Sequence, residues 1–150
     1  MALEATTAAR AQTKRFIRRP VALLLAAALL LSLLGLSGCG GYKSNYHAVG
    51  FVHSNDADSA FMSFYSFEGT MVFRLKCKDA SARIRYTAKL ETGALTVTCV
   101  SGDDETALFT LRDGEEVQAT GGKLSPGTVR ILVKTDGKCE NGDLTFALEV

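Results

Sequence analysis

The chain of 150 residues has no Trp, two His and four Cys. Without Trp there is no indole face to stack on a sugar ring. The histidines, His47 and His53, lie six positions apart, which on one strand puts them on a common face but about 20 Å apart at ~3.3 Å per residue. That is too far to hold one metal or act on one bond, so both read as exposed edge residues. No Ser, His and Asp constellation can be assembled around them. An excess of either charge is missing too: 17 Lys and Arg stand against 16 Asp and Glu, a net of +1. Nucleic acid calls for a basic face, and this balance argues against it. Long apolar runs are absent except for one, Val21 to Leu36, sixteen residues of almost unbroken Leu, Ala and Val.

That run is shorter than the ~20 apolar residues of a permanent membrane span. Lys14, Arg15, Arg18 and Arg19 precede it and small residues follow, which is the layout of an export signal with an apolar helix at its centre. Pro20 and the Leu-rich core fit the general export route better than a twin-arginine one. Leu36, Ser37 and Gly38 before Cys39 resemble the lipobox of bacterial lipoproteins. Small residues let an extended backbone enter the signal peptidase, and only a thiol can carry the thioether-linked diacylglycerol. The resemblance implies cleavage between Gly38 and Cys39 and lipid on Cys39. Residues 1–38 are then a signal peptide, 39–45 a lipidated tether and 46–150 the folded domain, held at the cell membrane and facing out of the cytoplasm.

Cleavage leaves 112 residues, 39 to 150, one ordinary small domain. It removes five basic residues and Glu4, so 12 basic stand against 15 acidic, a net of −3. An acidic domain is not attached by a polybasic stretch, which leaves lipid on Cys39 as the membrane contact.

Beyond the signal the apolar residues alternate. Met71, Phe73, Leu75 and Cys77 point one way while Val72, Arg74, Lys76 and Lys78 point the other, as on a half-buried strand. The same period runs through "RIRYTAKL", "ALTVTCV", "TALFTLR", "TVRILVK" and "DLTFALEV", with Val150 closing the last inward row. Between them sit "KDAS", "ETG", "SGDDE", "RDGEE", "SPG" and "DGKCENG", rich in turn formers. "HAVGFVH" and the aromatic stretch Phe61 to Phe67 fit two further strands, with "SNDADS" as the loop between them. Short strands about ten residues apart with no helical period predict an all-β domain, a single antiparallel β-sandwich of jelly-roll type.

The order "MSFYSFEGT", an alternating strand, "LETGALTVT" and a Gly-rich approach to "DLTFALEV" resembles a large group of short lipobox-bearing proteins of Gram-positive bacteria. More distantly it is similar to β-sandwich domains appended to secreted bacterial peptidases and carbohydrate-active enzymes. The resemblance spans about Phe61 to Val150 and rests on Gly69 after the aromatic strand, Gly93 in a central hairpin and Gly142 before the last strand. It implies a sandwich outside the cell and brings no agreed activity. The Trp common in the last strand of such domains has no counterpart here.

Candidate chemistry is sparse. "NDADS" from Asn55 offers oxygens at alternate positions but lacks the Gly and distal bidentate Glu of a calcium loop, so it reads as a solvated loop. Asp103 with Asp104, and Glu115 with Glu116, would serve as acid and base only if burial or crowding raised one pKa; both pairs sit beside Gly in turn-like segments. Cys77, Cys99 and Cys139 are spaced by 22 and 40 residues, without the paired close ligands of a zinc site. Export permits disulfides, yet three thiols leave one free. With Thr92 and Gly93 as a hairpin turn, Cys99 falls opposite Tyr86, and Cys77 and Cys99 face inward near one end of the sandwich. They are the expected pair if one forms; the alternative is three buried thiols acting as small hydrophobes.

Arg74, Lys76, Lys78, Arg83, Arg85, Lys89, Arg130 and Lys134 alternate outward. Such a face serves solubility and offers a site for an acidic envelope polymer, a glycan or a protein partner. The expectation is a membrane-anchored extracytoplasmic lipoprotein with a non-catalytic binding or envelope-structural sandwich and no cofactor. The rival expectation is a small metal-dependent or hydrolytic envelope enzyme, which requires His, Asp or Glu gathered at one concave spot.

Overall fold

A computed structural model describes residues 41–150; the apolar run, the expected cleavage site and Cys39 lie outside the described residues. Among the described residues there is no helix, and nine strands follow one another: β1 Asn45–Val49, β2 Val52–Asn55, β3 Ser59–Cys77, β4 Arg83–Thr92, β5 Leu95–Ser101, β6 Asp104–Leu111, β7 Glu116–Gly121, β8 Gly127–Thr135 and β9 Cys139–Glu149. All pairings are antiparallel.

The register shows how few long strands these are. β8 runs along β3 from Cys77↔Gly127 to Thr70↔Lys134, and β9 continues along the same edge from Phe67↔Cys139 to Ser59↔Ala147. β5 and β4 lie beside β8 and β9 in the same way, and β6 and β7 beside β5 and β4. Four long antiparallel strands therefore each fold once near the middle. The result is a front sheet of β3 (first half), β9, β4 and β7 and a back sheet of β3 (second half), β8, β5 and β6. This is the jelly-roll order, with β1 and β2 covering the outer edge of β3. Inward side chains of both halves make one core: Phe73 of the back sheet lies 6.1 Å from Phe146 of the front, and Phe109 stacks on Tyr86 at 4.9 Å.

Each fold in a long strand falls at a glycine with positive φ: Gly69 (124°), Gly93 (106°), Gly114 (72°) and Gly137 (78°). A side chain resists that backbone region. At Gly69 space is also closed, because an added Cβ would sit 2.3 Å from the Asn45 carbonyl oxygen. The buried Thr135 clamps the bend: its Oγ1 accepts from the Gly69 N–H at 2.8 Å and donates to the Gly69 carbonyl at 3.4 Å.

The inward rows hold in β4, β5, β8 and the second half of β3, where Ile84, Val97, Ile131 and Leu75 are all buried. The glycines take other places than their turn-like surroundings suggest. Thr92 and Gly93 do not close a hairpin: β4 passes through the bend into β5, the two do not pair, and Cys99 lies between Ile131 and Thr106 rather than opposite Tyr86. Gly142 lies within β9, under the Phe64 ring. Glu116–Gly121 forms a strand that the alternation does not announce, starting at the last residue of the expected turn "RDGEE", and Val150 is 88% exposed beyond the end of β9. The stretch expected as tether is partly bound. The Val72 N–H donates to Ser44 Oγ, Arg74 Nη2 donates to the Tyr42 carbonyl, and the Arg130 guanidinium lies 6.0 Å from the Tyr42 ring. Val72, expected outward and exposed, is buried where this strap crosses.

Candidate functional site

The outward side of the front sheet carries side chains in level rows. One row runs from Val52 on β2 through Ser63 on β3, Asp143 on β9 and Lys89 on β4 to Glu116 on β7. The next runs Ser54, Phe61, Thr145, Thr87, Gln118. The period of two that buries Met62, Phe64, Leu90 and Leu144 forces these partners outward. Tyr65 stands two residues beyond Ser63 on the same side and is 63% exposed; Phe61 is 38% exposed. The Tyr65 N–H donates to the Gly50 carbonyl at 3.2 Å, and an added Cβ at Gly50 would fall 2.9 Å from Tyr65 Cβ. The bend between β1 and β2 thus seats the aromatic side chain.

Two open grooves lie side by side on this face. The larger, about 530 Å³, runs between Tyr65, Asn141, Glu91 and Glu115; the smaller, about 450 Å³, is floored by Thr87, Val117, Gln118 and Thr145. Lys89, Glu116 and Asp143 border both. Lys89 Nζ is 3.0 Å from Asp143 Oδ2. Hydrogen bonds from Ser63 and then Lys89 hold the Asp143 carboxyl below the usual carboxylate range. An ionised, bridged Asp with a hydroxyl donating to it is an acceptor and a positioning group; a general acid needs the opposite shift. Asn141 Nδ2 donates to Glu91 Oε2. The face therefore offers two exposed aromatic surfaces beside an array of fixed donors and acceptors.

The residues singled out in the sequence fall elsewhere. His47 and His53 lie along the outer edge, opposite Glu68 and Met62, and His53 stacks on Phe51 at 4.8 Å. Asn55 is committed to the backbone of Arg74, with Nδ2 donating to its carbonyl and Oδ1 accepting from its N–H, both at 2.7 Å. Among the described residues no three His, Cys, Asp or Glu gather to hold a metal. Asp103 lies in the turn from β5 to β6 and Asp104 opens β6, and Glu115 Oε2 accepts from the Arg112 N–H at 2.8 Å. Glu116 alone of these acids reaches the grooves' shared border.

Cys77, Cys99 and Cys139 are free and buried. Cys77 and Cys99 face inward near one end of the back sheet, but on strands that flank β8, opposite Gly127 and Ile131. Two strand spacings come to about 10 Å, beyond the ~7 Å between Cα atoms that a disulfide spans, so the pair expected if a bridge forms is not bridged here. Burial, and after it the neighbouring Cys77, push the Cys99 thiol up to about 11. The eight outward cations do not share one face either: Arg83, Arg85 and Lys89 lie on the front sheet, Arg74, Lys76, Arg130 and Lys134 lie on the back, and Lys78 lies in the loop past the end of β3.

Tyr65, Phe61, Asn141, Asp143 and Gln118 were not anticipated. Their signal is the outward phase of strands recognised by their inward phase, and it becomes a site only once β3, β9, β4 and β7 are set side by side.

No family model matches the chain, and no curated protein does. It is similar to solved structures that include Drosophila melanogaster CENP-C bound to CAL1 (14% identity, TM-score 0.32, covering 86% of this chain and 99% of that one). Others are TmCBM61 in complex with beta-1,4-galactotriose (12%, 0.42, 73% and 88%) and a CBM4 structure (11%, 0.37, 77% and 83%). At these identities and TM-scores the likeness assigns neither ligand nor partner.

Proposed function

We propose that this chain is a lipid-anchored, extracytoplasmic binding module, without catalysis of its own, whose front face takes an envelope glycan. The anchor rests on the basic, apolar and lipobox order that ends at Cys39. The ligand class rests on one observation: Phe61 and Tyr65 stand exposed on the same side of β3 beside the Ser63, Asp143 and Lys89 row. A pyranose ring has an apolar C–H face and a rim of hydroxyls, so it pairs with an aromatic face and with donors and acceptors at its edge. An open groove suits a chain passing along it better than a small molecule enclosed in it.

The test is retention of residues 42–150 on a panel of insoluble and soluble envelope polysaccharides, with Tyr65→Ala and Phe61→Ala compared in parallel. Both side chains are exposed, so melting temperatures should be unchanged while affinity falls about tenfold for each, some 1.4 kcal/mol. Binding to no polysaccharide, or binding indifferent to both substitutions, would remove the glycan reading.

A further inference from the structure

We infer that the outward side of the back sheet is a docking surface for anionic phospholipid headgroups and turns the front grooves away from the bilayer. Three observations carry it. Arg74 and Lys76 on β3, with Arg130 and Lys134 on β8, point outward there; Glu105 lies among them, and at the rim stand Asp136, in a groove with Lys134 and Arg112, and Asp56, in the loop bonded to the backbone of Arg74 and Lys76. The front face, by contrast, sets Arg83, Arg85 and Lys89 against Glu91, Glu116, Asp143 and Glu149. The net of −3 for residues 39–150 therefore conceals a basic side.

The chain also enters the fold on that side. Tyr42 lies over the back sheet, its carbonyl bonded by Arg74 Nη2 at 3.2 Å, its hydroxyl on Glu105 Oε2 at 3.3 Å and its ring beside Arg130. Only Gly40 and Gly41 separate Cys39 from Tyr42, three residue steps and a reach of at most about 11 Å. Attraction between lysine or arginine and an anionic surface acts within a Debye length, about 8 Å at physiological salt. With lipid on Cys39, the tether lets the basic side approach to within that range and never lets Tyr42 stray much beyond it, about 11 Å against about 8 Å, and the front grooves lie on the far side of the sandwich. This step rests on the lipid-anchor reading, while the basic surface stands without it.

The experiment separates the two. The domain from residue 40, carrying an N-terminal hexahistidine tag, is tethered to vesicles containing a nickel-chelating lipid, so that natural lipidation plays no part. A fluorophore is placed at Thr128→Cys on the back sheet or Gln118→Cys on the front, and a headgroup-attached quencher reports proximity. With phosphatidylglycerol in the vesicles the label at 128 should be quenched at least threefold more than with phosphatidylcholine alone, and the label at 118 should not change. Lys76→Glu with Lys134→Glu, two exposed positions, should abolish the difference while melting temperature holds. Equal quenching of both labels, or indifference to phosphatidylglycerol or to charge reversal, would overturn the docking surface. A partner that binds the same face but is displaced by no anionic vesicle, such as a phosphate-rich wall polymer, would overturn it as well. Mass spectrometry of the membrane-extracted protein tests the anchor separately: a Cys39 peptide without lipid removes the anchor and leaves the vesicle result standing.

Discussion

At the scale of single residues, the fold is most exposed to change where a glycine combines positive φ with closed space. Gly69 has both: φ of 124° and the Asn45 carbonyl 2.3 Å from an added Cβ. Gly114 has φ of 72° and open space around it. Gly69→Ala should cost about 3 kcal/mol, strain and clash together, against ~1 kcal/mol for Gly114→Ala, where strain acts alone. Urea midpoints at unchanged slope are the measurement, and equal losses would show that the bend at Gly69 yields more easily than its contacts imply. Cys99 sets a second limit. Its thiol, pushed up to about 11 chiefly by burial, keeps its proton where an unfolded thiol, near 8.5–9, has lost it. Between those values the unfolded state binds fewer protons, so stability falls as pH rises from about 9 to 11. Cys99→Ala should flatten that alkaline slope even as it lowers stability near neutrality through the lost packing. An unaltered slope would place its origin elsewhere.

At the scale of elements, β3 shows what a sequence can and cannot disclose. Its inward residues were legible from Met71 to Cys77 because the period of two is uninterrupted there. Between Phe64 and Phe67 the buried positions change phase, so the aromatic half looked like a separate strand. The bends misled for a related reason: Gly93 or Gly137 beside polar residues has the composition of a hairpin turn, and only pairing partners distinguish a reversal from a fold within one long strand. Cross-strand rows are invisible to a one-dimensional pattern altogether, which is why Ser63, Asp143 and Lys89 went unnoticed as a unit. That row predicts its own titration. Bonds from Ser63 and Lys89 lower the Asp143 pKa, so its contribution is present above the unfolded value near 3.9 and is lost as pH falls through the folded one. The pair is largely exposed, with side chains 63% and 49% accessible, so less than about 1 kcal/mol is involved. Lys89→Met should move the Asp143 carboxyl resonance titration upward towards the ordinary range, read by NMR. An unmoved midpoint would mean that solvent already screens the pair.

At the scale of the whole molecule, all-β class and jelly-roll type were legible because half-buried strands about ten residues apart leave few other ways to close a core. Where the domain begins was not, since "GYKSNY" is polar and carries no period. In the structure Tyr42–Val150 forms a compact unit of its own, and the strap reaches β3, β6 and β8 through Tyr42 and Ser44. The strap spans strands that are distant in sequence, so it adds to stability only after the sandwich has closed. Residues 42–150 should therefore unfold in one cooperative transition, more stable by ~1–2 kcal/mol than residues 46–150, the sum of a few partly exposed hydrogen bonds. Because the strap is absent from a transition state that must first join β3 to β8 and β9, its removal should act on the unfolding rate and leave refolding nearly unchanged. Stopped-flow chevrons on the two fragments decide this. Parallel unfolding arms with a slower refolding arm for 46–150 would instead put the strap in the nucleus, and coincident chevrons would mean that the domain begins at β1 and the tether is free up to that point.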